Sequence, residues 1–449
     1  MSKPTQQILA LNAFDGAAAE SLASDVQELI KRRQSSFGPT SVLFYRNPLH
    51  VVEARGASIY TLDGKRFLDL YNNVPSVGHC HPRVVEAISR QVARLNCHTR
   101  YLYDGLHDYA ERLLSHFPAT LSNVAFTCTG SESNDLALRM ARITTGQMGV
   151  IVTEAAYHGN TTAVTEISPS SYKRGEPPAY VETIAAPDPV YYGADLATGF
   201  ATAVKQAMAA LESRGHKLGA FVADTIFSSD GVYADPVGFL KPAIDFVQAS
   251  GALFIADEVQ PGFGRTGTAM WGFARHGVVP DMVTMGKPMG NGFPMGGVVA
   301  RPDLLKRFCD EFGYFNTFGG NPVASAAGLA VLDVIAEEGL IENARIVGAH
   351  LKSRLEDLAG RLPQIGTVRG SGLYIGIDIV DREDSAKPAP TAASDLINDL
   401  RERQILIGAA GPFGHVLKVR PPLCLTILEA DHFVDTLDVL LSERTKSKA

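Results

Sequence analysis

Lys287 and Asp257 are the residues of this sequence whose types and positions best suit covalent catalysis. Lys287 lies in the segment Val283–Gly292 (VTMGKPMGNG), where an apolar run ends among glycines. A lysine in such a place is partly desolvated, which lowers its pKa and favours the amine that Schiff-base chemistry requires. Taken alone, a lysine in this context is more often a surface residue of a turn. Its significance therefore depends on the residues that accompany it.

Asp257 follows the apolar run Leu253–Ala256, which is typical of a buried strand. A carboxylate at the end of such a strand can cap a helix, bind a metal or pair with a cationic heterocycle. Pyridoxal phosphate (PLP) is a heterocycle that withdraws electrons best when its ring nitrogen is protonated, and a neighbouring carboxylate keeps it so. Asp257 alone is ambiguous, but together with Lys287 further along the chain it indicates a PLP site.

Two further segments carry groups that suit a phosphate and a planar ring. In Thr127–Asn134 (TCTGSESN) a predicted strand passes into a helix predicted over 135–143. The first turn of a helix offers free N–H groups and a favourable dipole to a phosphate, although N-capping explains the serines equally well. Tyr157 and His158 follow the next strand. Tyr157 can stack on a cofactor ring, but a partly buried aromatic residue in a loop is equally common.

The elements that must position these residues alternate between strand and helix in the middle of the chain. Six short apolar runs predict strands at 124–126, 150–152, 220–223, 252–256, 282–285 and 297–300. Most of these runs are continuous, as expected for strands covered on both faces in a mostly parallel sheet. Ligands of such sheets bind at the carboxyl ends of the strands, where Asp224, Asp257 and Lys287 occur. An α/β fold with a site at one edge of its sheet is predicted.

The predicted elements near the two chain ends do not follow the strand–helix alternation of the central section, which suggests a second domain. A strand-rich section at 51–70 precedes the central alternation, and mixed helices and strands follow it. We predict a large α/β domain at 76–322 and a smaller α+β domain built from 1–75 and 323–449.

The composition narrows the functional class. The net charge of -7 over 449 residues argues against general nucleic-acid binding. No apolar run reaches the length of about eighteen residues that a membrane span needs. The five cysteines include no C-x-x-C pair, which favours reduced thiols and a cytoplasmic location. The adjacent His79, Cys80 and His81 cannot all converge on one ion, and no metal site is predicted.

The segments described above occur in the order found in one enzyme family. The sequence resembles the class III (omega) aminotransferases of PLP fold type I over about residues 38–440. The matching motifs are GHCHP at 78–82, TGSE at 129–132, YHG at 157–159, DEVQ at 257–260, GFGRTG at 262–267, GK at 286–287 and TFGGNP at 317–322. The resemblance implies a mostly parallel seven-stranded sheet in the large domain.

The resemblance also implies a role for each matching residue. Lys287 forms the Schiff base with PLP, Asp257 pairs with the ring nitrogen, and Gln260 lies near the ring hydroxyl. Thr317 reaches the cofactor of a neighbouring subunit, which implies a homodimer with shared active sites, or a tetramer built from such dimers. The cofactor-binding residues expected on this basis are Gly130, Ser131, Tyr157, His158, Asp224, Asp257, Gln260, Lys287 and Thr317.

The cofactor motifs leave the reaction open, because proton removal by Lys287 serves both transamination and elimination. Several segments look closest to a subgroup that contains the phosphoethanolamine and phosphohydroxylysine phospho-lyases and the alanine–glyoxylate aminotransferase-like proteins. A phospho-lyase needs cations for a dianionic phosphate. A strand is predicted at 416–419, and the period of two over the segment 416–422 places Lys418 and Arg420 on one face. Arg100 is a further candidate, although Arg420 also matches the carboxylate-binding arginine of many aminotransferases.

We therefore predict a PLP-dependent phospho-lyase that releases phosphate and ammonia from a small amino-alkyl phosphate such as O-phosphoethanolamine. The alternative is an omega-aminotransferase that passes an amino group to pyruvate or another keto acid. Many family members carry Glu-Pro where this chain has Asp224-Thr225, and that glutamate helps to govern a mobile arginine. The shorter aspartate weakens the aminotransferase alternative. A non-catalytic PLP-fold scaffold is a third class, against which the intact Lys287, Asp257 and Gln260 argue.

Overall fold

A computed structural model describes residues 11–40 and 42–446 of the chain. The strands in chain order are β1 (Val51–Arg55), β2 (Ser58–Thr61), β3 (Arg66–Asp69), β4 (Asn123–Thr127), β5 (Gly149–Thr153), β6 (Val181–Ile184), β7 (Leu218–Ala223), β8 (Leu253–Asp257), β9 (Met282–Met285), β10 (Gly296–Ala300), β11 (Ile365–Ser371), β12 (Tyr374–Ile379), β13 (Ile405–Leu406), β14 (Gly408–Ala410) and β15 (Val416–Val419). The α-helices are α1 (Ser24–Phe37), α2 (Pro82–Val92), α3 (Asp104–Leu114), α4 (Gly130–Thr145), α5 (Thr162–Glu166), α6 (Pro189–Tyr192), α7 (Leu196–Ser213), α8 (Lys241–Ala249), α9 (Pro302–Glu311), α10 (Pro322–Glu337), α11 (Leu340–Ala359), α12 (Pro390–Glu402) and α13 (Ile427–Lys446).

A seven-stranded sheet with the order β4-β10-β9-β8-β7-β5-β6 forms the centre of the molecule. Strands β9, β8, β7, β5 and β6 run parallel to one another, whereas β10 is antiparallel to both of its neighbours. The predicted α/β fold with a mostly parallel sheet is confirmed. The prediction missed β6, because Glu182 and Thr183 interrupt the apolar pattern of this edge strand.

Helices cover both faces of this sheet, and the strand residues alternate between the two layers. Ile255 packs into a cluster with residues of α4 and α9, such as Leu136 and Phe308. Its neighbour Phe254 points to the other face, where it joins a larger cluster that includes Phe200 of α7. Since both faces are buried, the central strands are apolar throughout, which is why the sequence shows continuous runs.

Two four-stranded sheets lie outside the central one, in the orders β1-β2-β3-β13 and β11-β12-β15-β14. In the first, the chain ends meet directly, since Leu68 of β3 pairs in parallel with Ile405 of β13. In the second, β15 is a central strand between β12 and β14 and is buried along its length. The domain boundaries at 75/76 and 322/323 stay a prediction.

Helix α4 begins earlier than the sequence pattern indicated. It was predicted over 135–143, but it starts at Gly130 because the Thr129 side chain caps it by accepting a hydrogen bond of 3.1 Å from the Glu132 backbone N–H. It ends at Gly146, which adopts the left-handed conformation of a common C-terminal cap. The helix start therefore coincides with the turn that was predicted to bind a phosphate.

Across residues 11–40 and 42–446, no helix combines the length and the apolar character that a membrane crossing would need.

Candidate active site

A cavity of about 210 Å³ lies where β4, β5, β7, β8 and β9 end at their carboxyl side. Its walls come from the segments that leave these strands, and are formed by Thr129, Gly130, Ser131, Tyr157, His158, Gly159, Asp224, Asp257, Val259, Gln260 and Lys287. Eight of the nine residues predicted to bind the cofactor therefore line one cavity. The convergence follows from the parallel strands, whose carboxyl ends share one edge of the sheet.

Asp257 is held in the cavity by three hydrogen-bonding partners. Its Oδ2 accepts a 2.9 Å hydrogen bond from Asn134 Nδ2 and lies 2.7 Å from Nδ1 of His158, while its Oδ1 accepts from the backbone N–H of Val259 at 3.1 Å. An ionised carboxylate only accepts, which requires the proton of His158 on Nδ1. The buried side chain is thereby fixed in one orientation at the end of β8.

Asn134 is a site residue that the sequence prediction did not identify as functional. It is buried in α4, donates to Asp257 and to the carbonyl of His158, and accepts from the Thr284 hydroxyl at 2.7 Å. It thus connects the helix to β8, β9 and the loop after β5. A buried asparagine one turn into a helix was the available signal, but its partners lie far away in sequence.

Lys287 leaves β9 through Gly286 and starts a short 3₁₀ turn, Lys287–Gly290. Burial and then the positive charge of Arg420 lower the pKa of Lys287, whereas Asp257 and Asp224 act in the opposite direction. A lowered pKa increases the fraction of free amine, which is the form that attacks a carbonyl.

Gln260, at the other side of the cavity, connects it to the cation Arg420. Gln260 Oε1 accepts hydrogen bonds from Arg420 Nη1 at 2.8 Å and from the Tyr374 hydroxyl at 2.9 Å. Arg420 also stacks over the Tyr71 ring at 4.5 Å and donates to Asn73 Oδ1 at 3.1 Å. None of these partners carries a negative charge at neutral pH.

Lys418 and Arg420 are the buried cations on this side, with exposed fractions of 6% and 8%. Within the part of the chain that the structure describes, Lys418 Nζ has no hydrogen-bond or ion-pair partner and Arg420 has no carboxylate partner. Burial lowers the pKa of Lys418 well below the usual lysine value, and the neighbouring Arg420 lowers it further. Lys287 and Asp224, which line the cavity, also influence the pKa of Lys418, the former lowering it and the latter raising it.

Four predicted site residues do not line this cavity: Lys418 and Arg420, described above, and Thr317 and Arg100. Thr317 is exposed in the loop between α9 and α10. Arg100 lies over the Phe315 ring at 4.1 Å, near the same loop, and does not line the cavity.

The residues of the cavity fit PLP in shape and in donor set. A Cβ on Gly130 would come within 2.8 Å of Val259 Cγ2, and one on Gly159 within 2.5 Å of Ser131 Oγ, so side chains there would fill the space beside the α4 turn. The first-turn N–H groups of Gly130 and Ser131 have no acceptor within the helix and are available to a phosphate. Asp257, Tyr157 and Lys287 supply the carboxylate, the aromatic face and the amine that this cofactor requires.

A fold of this type with this set of residues defines a PLP-dependent enzyme. The family model described as aminotransferase class-III matches residues 44–441, and the chain belongs to the class III aminotransferase family. Its predicted PLP dependence and PLP fold type I are confirmed.

The similar proteins that cover nearly the whole chain are named either as aminotransferases or as phospho-lyases. An alanine–glyoxylate aminotransferase 2-like protein of Drosophila melanogaster is 38% identical, over 94% of this chain and 89% of the relative. An ethanolamine-phosphate phospho-lyase homolog 1 of Caenorhabditis elegans is 39% identical, over 95% of this chain and 96% of the relative. A solved phospholyase from Arthrobacter, in complex with phosphoethanolamine, is 44% identical with a TM-score of 0.89 and covers 92% of this chain and 99% of its own.

Proposed function

We propose that this enzyme is a phospho-lyase that converts a small amino-alkyl phosphate such as O-phosphoethanolamine, with water, to an aldehyde, ammonia and phosphate. The observation that carries the proposal is the pair of buried cations, Lys418 and Arg420, which have no carboxylate partner among the described residues. Buried charges without a counter-ion are costly, so a pair of them is expected to be stabilised by a ligand. A phosphate dianion matches two cations better than a single carboxylate does.

In this reaction each of the cavity residues would have a separate role. Asp257, Tyr157, Gly130 and Ser131 would hold PLP, which would supply the electron sink that makes a proton on the substrate's amino-bearing carbon acidic. The Lys287 amine takes that proton. The electron pair released at this carbon then expels the phosphate from the neighbouring carbon.

Lys418 and Arg420 have two tasks in this scheme. They orient the substrate phosphate by charge-assisted hydrogen bonds, and they stabilise the negative charge that collects on the leaving oxygen as the C–O bond breaks. The second task is specific to elimination. The phospho-lyase names of the Arthrobacter and Caenorhabditis elegans relatives support the same reaction for this chain.

Transamination is the second candidate, and Arg420 favours it. A single arginine that hydrogen-bonds only to neutral groups suits the carboxylate of an amino or keto acid. The Drosophila relative carries an aminotransferase name. In this case Lys418 would have no direct partner in the substrate.

The release of inorganic phosphate separates the two candidates. The PLP-loaded enzyme is incubated with O-phosphoethanolamine, and free phosphate and acetaldehyde are measured against a Lys287→Ala control. Parallel reactions with L-alanine and glyoxylate, or with an amine donor and pyruvate, report transamination. Phosphate release well above the control supports the lyase. Amino transfer without phosphate release would exclude it and establish the aminotransferase.

We further propose that the active form is a homodimer in which Thr317 reaches the cofactor of the partner subunit. Thr317 is exposed in its own subunit, on a loop that also exposes Phe312, Phe315 and Phe318. Exposed aromatic residues in one loop are typical of a surface that another chain covers.

Mixed dimers test this arrangement. Thr317→Ala is expected to weaken cofactor binding, and Lys287→Ala to abolish activity. If the sites are shared, co-expression of the two variants gives mixed dimers in which one site has both native residues, so activity returns. Sedimentation analysis measures the oligomeric state. A monomer, or mixed dimers no more active per native Lys287 than Thr317→Ala alone, would contradict the proposal.

A further inference from the structure

Ser228 connects the cation Arg420 to the acid Asp224 through a continuous chain of hydrogen bonds. Arg420 Nη1 donates to Gln260 Oε1 at 2.8 Å, and Gln260 Nε2 donates to the Ser228 hydroxyl oxygen at 2.7 Å. The Ser228 hydroxyl in turn donates to Asp224 Oδ2. Asp224 and Gln260 line the cavity, while Ser228 is buried behind them.

The orientation of the Gln260 amide depends on Ser228. Three donors surround its Oε1: Arg420 Nη1, the Tyr374 hydroxyl, and Asn73 Nδ2 at 3.3 Å. Its Nε2 must therefore face an acceptor, and the described residues supply one, the Ser228 hydroxyl. This hydroxyl can accept from Gln260 because its own proton goes to Asp224.

The same hydroxyl holds the Asp224 carboxylate within its own turn. Asp224 also accepts from the backbone N–H groups of Ile226, at 3.0 Å, and Ser228, at 3.1 Å. With these three hydrogen bonds satisfied, the carboxylate does not form an ion pair with Arg420. A neutral amide occupies the position beside the guanidinium instead.

We propose that Ser228 is a positioning residue for anion binding, which ties Asp224 into its turn and fixes the Gln260 amide so that Arg420 remains available as a cation. The inference rests on the proposed anion site at Arg420, but it does not depend on which reaction follows. Without the hydroxyl, Gln260 Nε2 and Asp224 both lose a partner in a buried place. Gln260 is then free to turn away from Arg420, and Asp224 is free to neutralise it.

The test measures anion binding to the PLP-loaded enzyme by titration calorimetry, with inorganic phosphate and pyruvate as probes. Ser228→Ala is expected to weaken binding by about tenfold, since a hydrogen-bonded charged group is involved. Ser228→Thr keeps the hydroxyl and is expected to restore binding. Ser229→Ala is the matched control, because the Ser229 side chain makes no hydrogen bond among the described residues.

A second variant covers the case in which Ser228→Ala does not fold. Gln260→Glu places a carboxylate beside Arg420 Nη1 and is expected to reduce phosphate binding by more than Ser228→Ala does. Native anion affinity in Ser228→Ala, or in Gln260→Glu where the first variant is unfolded, would overturn the inference. Loss of affinity in Ser229→Ala equal to that in Ser228→Ala would also overturn it.

The two probes separate this inference from the proposed function. If the native enzyme binds pyruvate but not phosphate, and Ser228→Ala weakens pyruvate binding, the role of Ser228 stands while the phospho-lyase proposal fails. If the native enzyme binds neither anion, both fail.

Discussion

The two sides of the cavity differ in the partners that the protein provides for their charged side chains. On one side, Asp257 accepts hydrogen bonds from Asn134, His158 and the backbone of Val259, and is held in place by protein groups. On the other side, Lys418 and Arg420 are equally buried but lack a carboxylate partner among the described residues.

Under the proposed function, this difference distinguishes a site for a permanently bound cofactor from a site for a transiently bound substrate. A carboxylate that must always face the same ring nitrogen benefits from being fixed in advance, because no reorganisation is then needed during the reaction. Cations that bind a substrate and release a product must not be neutralised by the protein itself. A buried group with a perturbed pKa beside a cavity is a candidate for a functional role, and Lys418 is such a group.

The largest effect is expected where the two sides meet, at Lys287. Lys287→Ala removes the amine whose pKa Arg420 lowers and Asp257 raises, and with it the group that we propose moves the substrate proton. We expect kcat to fall by at least about 10³-fold. Phosphate release and the cofactor absorbance band measure the loss, and thermal unfolding verifies the fold. Activity within tenfold of the native enzyme would contradict the assignment.

A smaller but still large effect is expected from Asp257→Asn. The new amide keeps the shape but removes the charge, and its N–H group faces the donors of Asn134 and His158. We expect kcat to fall by about 10²- to 10³-fold, together with loss of cofactor on dialysis. Asp245→Asn, at an exposed carboxylate on α8, is the control. Retention of both cofactor and activity would show that the fixed carboxylate is dispensable.

On the cation side, Lys418→Met is expected to affect the substrate rather than the cofactor. It retains the length and the packing of the side chain but removes the positive charge. We expect KM for O-phosphoethanolamine to rise by about tenfold or more, with a smaller change in the affinity for pyruvate. The cofactor absorbance should stay native. Lys217→Met, at an exposed lysine, is the control. Equal effects on both ligands would mean that Lys418 does not discriminate phosphate from carboxylate.

The sequence predicted those parts of this arrangement that depend on local pattern. The strand expected at 416–419 is β15, and both Lys418 and the following Arg420 are buried, whereas their common face stays a prediction. Asp257 and Lys287 were placed at one sheet edge because strands with continuous apolar runs are parallel. The contacts that hold these groups were not predicted, because they join positions far apart in the chain, as Asn134 with Asp257 and Gln260 with Arg420 show. Arg100 was predicted at the cavity but lies over Phe315, since an irregular segment has no period that fixes its direction.

The smallest predicted effect is a shift in pH dependence. Burial, Arg420 and Lys287 lower the pKa of Lys418, whereas Asp224 and Asp230 act against them. The ammonium form is the one that binds phosphate, and it is lost as pH rises through the pKa. The substrate phosphate becomes a dianion above about pH 6. We therefore expect KM to pass through a minimum and to rise at a lower pH than an ordinary lysine would cause.

Lys418→Arg separates this titration from the others in the cavity. A guanidinium stays charged throughout the accessible range, so the rise in KM at high pH should become a few-fold smaller or disappear. Lys287, whose pKa is also lowered, is common to both proteins, and the difference between their profiles therefore reports Lys418 alone. KM is measured from about pH 6 to about pH 9 for both. Superimposable KM profiles of the two proteins would mean that Lys418 stays charged over this pH range although it is buried. The charge of the cation side would then be as constant as that of Asp257.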